Sequence, residues 1–136
     1  IRRRQRQMCI RDSFKRVNDT YGHQAGDKVL QKIADVIFTC IRKDVDIPTR
    51  FGGEEFFILL PETDEDGAIM VAERIRHQME NTAIAWEGQK IHITLSLGIS
   101  IFPIHAHTPV DLIKFADEAL YQSKTNGRNL VSIYKT

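Results

Sequence analysis

Arg50-Phe51-Gly52-Gly53-Glu54-Glu55-Phe56 decides the fold, because it joins two short apolar runs and carries the signature of a tight turn. A Gly-Gly pair at a hairpin tip permits positive φ at both turn positions, as a type I′ turn demands. The predicted arms are Asp46 to Phe51 and Phe56 to Leu60, the second ended by Pro61. Glu54 and Glu55 are then held at the exposed end of a stiff ribbon. Hard cations prefer oxygen ligands, so carboxylates beside a turn without side-chain bulk suit a site for a metal and a triphosphate. An ordinary polar hairpin tip explains the five residues Gly52 to Phe56 equally well.

Outward from the hairpin, the pattern alternates helices and strands. From Asp27 to about Ile41, apolar residues recur at Val29, Leu30, Ile33, Val36, Ile37, Phe38, Cys40 and Ile41, a broad helical stripe. Thr63-x-x-Asp66 reads as a helix start, with Asp64, Glu65 and Asp66 complementing the positive end of the dipole. Ala68, Val71, Ala72, Ile75 and Met79 form the inner face of that helix. Ile91 to Phe102 alternates as one long strand, and Val110 to about Asn126 reads as a last helix closed by Gly127 in a left-handed cap. Leu130 to Tyr134 is a short final strand. The expected class is α+β, an antiparallel central sheet with packed helices in a ferredoxin-like palm arrangement.

Composition bounds the function without choosing it. One domain of 136 residues with a formal net charge of +1 has no bias towards nucleic acid or an anionic membrane. No apolar run reaches the roughly 18 residues that span a bilayer, and the first residues show no signal-peptide pattern. Cys9 and Cys40 are too isolated for a disulfide framework or a zinc site. The expected setting is cytoplasmic, either free or as the cytoplasmic part of a membrane-anchored sensor.

Three further motifs accompany the hairpin: Phe14-Lys15-x-x-Asn18-Asp19-x-x-Gly22-His23-x-x-Gly26-Asp27 upstream, Arg50 directly before it, and Ala116-Asp117-x-Ala119-Leu120-Tyr121-x-x-Lys124-x-x-Gly127-Arg128-Asn129 near the C-terminus. In this order they resemble the GGDEF domain family, the diguanylate cyclases, in its GGEEF variant, over roughly residues 12 to 134. The resemblance implies condensation of two GTP molecules to cyclic di-GMP and pyrophosphate, with Mg²⁺ or Mn²⁺, in bacterial second-messenger signalling. It implies a homodimer, each domain presenting one GTP, and an upstream sensory or receiver domain; no nucleic-acid partner is expected.

The resemblance also assigns roles. Glu54 corresponds to the metal-binding carboxylate and proton acceptor, with Glu55 in support. Gly52 and Gly53 allow close approach of the nucleotide to backbone. Asn18 and Asp27 correspond to the pair that reads the guanine edge, an amide and a carboxylate matching its donors and acceptor. As bare sequence, Asn18-Asp19 and Gly26-Asp27 are equally good turn or capping residues. Lys15 corresponds to a lysine beside the triphosphate. Lys124 and Arg128, four apart on the expected last helical turn, would grip the β- and γ-phosphates.

Two departures qualify this. The family carries a second metal-binding aspartate at the position of Ile10, whose side chain has no donor, and the backbone ligand would come from Arg11. Such a chain is either a weakened cyclase or a degenerate domain that binds GTP or cyclic di-GMP without catalysis. Ile1 to Gln7 is also compositionally unlike the remainder, and Met8-Cys9-Ile10-Arg11-Asp12-Ser13 reads as the translation of a stretch of a transposase sequencing adapter. The expectation is therefore a non-native or linker segment at 1–13, and at 14–136 a GGDEF domain lacking an intact first strand. The second departure is Lys43-Asp44-Val45-Asp46 where the family's product-inhibition motif is Arg-x-x-Asp. Lysine lacks the planar fork that pairs with phosphate or stacks on guanine, so inhibition by product is expected to be weak.

Overall fold

The computed structural model describes residues 5–11, 14–50 and 55–135. Five strands form one sheet in the order β2-β3-β1-β6-β7: β1 (Gln5–Arg11), β2 (Ile47–Arg50), β3 (Phe56–Pro61), β6 (Ser96–Phe102) and β7 (Val131–Ile133). Two more, β4 (Ile84–Trp86) and β5 (Gln89–Ile91), pair as a separate antiparallel ribbon. The helices are α1 (Phe14–Tyr21), α2 (His23–Cys40), α3 (Glu65–Glu80) and α4 (Pro109–Thr125).

The sheet is covered on both faces. Leu97, Ile99 and Ile101 of β6 join Phe56, Ile58 and Leu60 of β3 and the buried stripes of α2 and α3 in the main core. The alternate residues face α4: Phe57 packs with Ala116 and Leu120, and Ser100 Oγ donates to Leu112 O. Gly98 lets α4 approach β6 closely, since a Cβ there would overlap Ala116 O and Leu120 N. Burial on both sides explains why β3 and β6 read as nearly continuous apolar runs.

Helix ends follow local chemistry. Asp64, rather than Thr63, caps α3, accepting from Gly67 N at 2.7 Å. Thr108 caps α4, accepting from Asp111 N at 3.1 Å, and Pro109 occupies the first turn where no N–H is needed. Beyond α4, Gly127 adopts φ 121° and Arg128 N donates to Ser123 O at 2.9 Å, the closing bond of a Schellman turn.

The α+β palm expectation holds, with four differences in detail. A first strand is present: Gln5–Arg11 lies between β3 and β6, antiparallel to both, with Arg6 opposite Leu60 and Ile101. Backbone pairing between two flanking strands asks only for extended residues without proline, which this stretch supplies. The predicted strand from Ile91 to Phe102 is two strands, because its alternation continues through 92–95 without sheet pairing. Ile93 and Leu95 are nevertheless buried, so the pattern reported burial correctly and pairing wrongly. The sheet is not wholly antiparallel, for β7 pairs with β6 in parallel. Finally, Asn18-Asp19 lie within helix α1, and Gly26-Asp27 lie within the first turns of α2, not in open turns.

Candidate active site

Register places one end of the sheet as the meeting point of the motifs. There β2 ends at Arg50 opposite Phe56, and Ile10 of β1 pairs with both Phe56 and Leu97. Leu97 N donates to Leu130 O at 2.9 Å, which brings the Arg128-Asn129 turn to the same end. Helix α1, with Lys15 in its first turn, begins three residues after β1. The turn residues Gly52, Gly53 and Glu54 lie outside the described residues, but both arms that carry them end here. Glu55 is half-buried just before β3.

Asn18 and Asp27 flank the break between α1 and α2. Gly22 N donates to Asn18 O at 2.9 Å and Gly26 N to Gly22 O at 3.1 Å, so consecutive turns link the two positions. Gly22 adopts φ 95°, a conformation that other residues enter only with strain. Asn18 Oδ1 is buried and has no hydrogen-bond partner among the described residues. Buried amide oxygens are nearly always paired, which makes this one a candidate acceptor at the site. Asp27 is exposed and lines a cavity of about 350 Å³ with Leu30, Ala34, Pro48, Arg50 and Phe56. The guanine-reading candidate and the hairpin base thus share one hollow.

Lys124 and Arg128 do not share a helical face. The helix stops at Thr125, and Arg128 lies beyond Gly127 in the left-handed region at φ 63°. They remain neighbours through the Schellman turn, and the last turn of α4 is fixed to the sheet. Ser123 Oγ lies 2.9 Å from Leu97 O and 2.7 Å from Ser132 Oγ.

Two ion-pair networks escaped the sequence reading. Asp46 is buried and held by Arg42: Nη2 lies 2.7 Å from Oδ1 and the Arg42 backbone N donates to Oδ2 at 2.7 Å. Arg42 also donates to Pro61 O and Thr63 Oγ1. Lys43, in the position of the inhibition-motif arginine, is exposed, and its neighbour Arg42 has taken the aspartate. An i,i+4 Arg–Asp spacing was the available signal. The second network links Arg76 to Asn129, 53 positions away, at 3.1 Å, which no local pattern discloses.

No group of three or more His, Cys, Asp or Glu among the described residues could hold a metal ion. Nor is any described helix long and apolar enough to cross a membrane.

The sequence model of the family described as "Diguanylate cyclase, GGDEF domain" matches residues 6–130. The chain belongs to the GGDEF family. It is 45% identical over 124 residues to diguanylate cyclase A of Treponema denticola, covering 91% of this chain and 33% of that protein. Among solved structures, the GGDEF domain of YfiN (or TpbB) from Pseudomonas aeruginosa superposes with a TM-score of 0.92 at 34% identity, covering 98% of this chain and 83% of that one. The active GGEEF domain of a Vibrio cholerae diguanylate cyclase gives a TM-score of 0.88 at 34% identity, covering 98% and 84%. The GGDEF chain therefore spans about a third of the Treponema relative's length and most of each isolated domain.

Proposed function

We propose that this GGDEF domain is a diguanylate cyclase domain: it seats one GTP at the hairpin end of the sheet and, facing a second copy, condenses two GTP to cyclic di-GMP and two pyrophosphates. The unpartnered Asn18 Oδ1 carries the reading, because guanine presents N–H donors at the edge that an amide oxygen and the Asp27 carboxylate would accept from. In each half-reaction the 3′-hydroxyl of one GTP attacks the α-phosphorus of the other. A P–O bond forms, the bond to the bridging oxygen breaks, and pyrophosphate leaves. Glu54, with Glu55 beside it, takes the hydroxyl proton; Gly52 and Gly53 keep backbone close to the nucleotide; Lys15, Lys124 and Arg128 offset charge on the phosphates.

The divalent cation is the part this chain fits least. When bound, Mg²⁺ or Mn²⁺ would screen the charge between phosphate oxygens. Position 10 stands at the right end of β1 but offers no side-chain donor, leaving Glu54 and the Arg11 carbonyl. That substitution specifically favours a second reading, a domain that binds GTP or cyclic di-GMP with little or no turnover. We further propose that residues 1–13 are non-native or linker sequence, that an upstream sensory or receiver domain pairs two such domains, and that the setting is cytoplasmic. Clean genomic reads across Met8–Ser13 test the first point, since an intact reading frame there overturns it.

The functional test is calorimetric titration of GTP and ATP into the protein and its Asn18→Ala variant, with pyrophosphate release measured against protein concentration. Preference for GTP that Asn18→Ala abolishes, with rates rising faster than linearly in protein, supports the cyclase. GTP binding without release at any concentration supports the silent domain. Equal affinity for GTP and ATP in both proteins overturns both readings.

A further inference from the structure

Arg76, on the solvent side of α3, has an unusually enclosed guanidinium for a helix surface; its side chain is 17% exposed. It reaches Glu73 Oε2 at 3.0 Å and Glu80 Oε2 at 2.8 Å, and spends its remaining reach on Asn129 Oδ1 at 3.1 Å. Asn129 is held from a second side, its backbone N donating to Ser96 Oγ at 3.2 Å. A side-chain hydrogen bond from Asn129 to Glu80 closes the triangle and, with Arg76, holds that carboxyl below its ordinary range.

The object so firmly held is a strained one. Arg128 and Asn129 are consecutive non-glycine residues at φ 63° and 51°. Such conformations persist only where the surroundings over-determine them, and they concentrate where a side chain must be aimed. A relaxed exit from the Schellman turn would turn Arg128 elsewhere. Here Asn129 is drawn inward by three partners while Arg128, its exposed neighbour, is left as the group displayed.

We propose that Arg76 is a positioning residue for triphosphate binding, acting through Asn129 to fix the left-handed step that aims Arg128 at the β- and γ-phosphates. This rests on the reading of Lys124 and Arg128 as the phosphate grip. A tie that serves only the fold would weaken every nucleotide alike or affect only thermal stability. A positioning tie affects only ligands that carry the distal phosphates.

The test compares GTP with GMP by calorimetry on the intact chain, in wild type, Arg76→Lys, Asn129→Gly and Arg128→Ala, with a thermal melt of each. Arg76→Lys keeps the charge and removes the fork. Asn129→Gly accepts the left-handed backbone freely and removes the amide, so it stands in if Arg76→Lys fails to fold. The expected result is that both variants weaken GTP about tenfold, the scale of one misplaced charge-assisted hydrogen bond, while GMP affinity stays within about twofold. Arg128→Ala should show the same selective loss. If Arg128→Ala leaves the GTP-to-GMP ratio unchanged, the phosphate grip itself is wrong and the inference falls with it. If Arg128→Ala lowers the ratio but Arg76→Lys and Asn129→Gly do not, the grip stands and the positioning role is overturned.

Discussion

β1 and β6 occupy equivalent places, adjacent interior strands with a partner on either side, yet their sequences differ in kind. β6 reads Ser-Leu-Gly-Ile-Ser-Ile-Phe and is buried throughout except at Phe102. β1 reads Gln-Arg-Gln-Met-Cys-Ile-Arg, in register against it. Interior strands covered on both faces are normally apolar, since neither face meets water. Backbone hydrogen bonding accepts almost any extended sequence; side chains decide whether the strand also stabilises the sheet. β6 does both, while β1 pairs on either side with a sequence that is largely polar. The same contrast reaches the candidate site, because β1 ends and β6 begins at the same end of the sheet. β6 starts there with Ser96 Oγ accepting from Asn129 N, whereas β1 ends there with Ile10 and Arg11.

The largest effect is expected in β6. Gly98→Ala inserts a methyl between strand and helix α4, against backbone atoms that cannot rotate away. We expect a loss of about 3 kcal/mol, read as a lowered midpoint in urea with unchanged slope. Its cross-strand neighbour in β1 is Cys9. If Gly98→Ala is tolerated as readily as Cys9→Ala, β6 is not the more constrained strand and the contrast fails.

Position 10 comes next. Ile10→Asp restores a carboxylate at the pocket end of β1, and pyrophosphate release should rise about 100-fold, or about 2.7 kcal/mol of barrier. No gain would mean that β1 does not limit catalysis, and the silent-domain reading would rest on other residues.

These two positions also show how far sequence carries. The hairpin arms, the apolar stripes of α2, α3 and α4 and the Gly127 cap were legible because each is a local pattern in consecutive residues. Helix α1 was not, since its eight residues include the turn-forming pair Asn18-Asp19 and its partner α2 supplies much of its support. The break after Ile91 was hidden because burial continues through Ile93 and Leu95 while pairing stops. The candidates Asn18, Asp27, Lys124 and Arg128 stand in recognisable motifs, but how they are held is not written there. The Arg76–Asn129 clasp depends on where a loop returns, which spacing alone does not encode, whereas the i,i+4 spacing of Arg42 and Asp46 was there to be read.

Lys43→Arg, ahead of β2, is expected to have a smaller effect. Because Arg42 already holds Asp46, restoring the arginine should leave inhibition by cyclic di-GMP weak, measured as the product concentration that halves turnover. Tight inhibition would mean that Asp46 exchanges partners when product binds.

The smallest effect tests what β6 anchors. Hydrogen bonds from Asn129 first, and Arg76 second, hold the Glu80 carboxyl below the ordinary carboxylate range. Its proton affinity is thus lower folded than unfolded, so the unfolded chain takes up protons first as pH falls. The stabilisation it gives is complete above the ordinary carboxylate value and disappears as pH drops through the lowered folded value. Glu80→Gln removes the charge at all pH, so the melting difference between wild type and variant should be constant near neutrality and close in acid. Glu80 is partly open to solvent, and 0.5 M salt should shrink the neutral difference by screening. A difference that persists in acid would show that Glu80 holds Asn129 by shape and not by charge, leaving Arg76 as the charged member on which the turn depends.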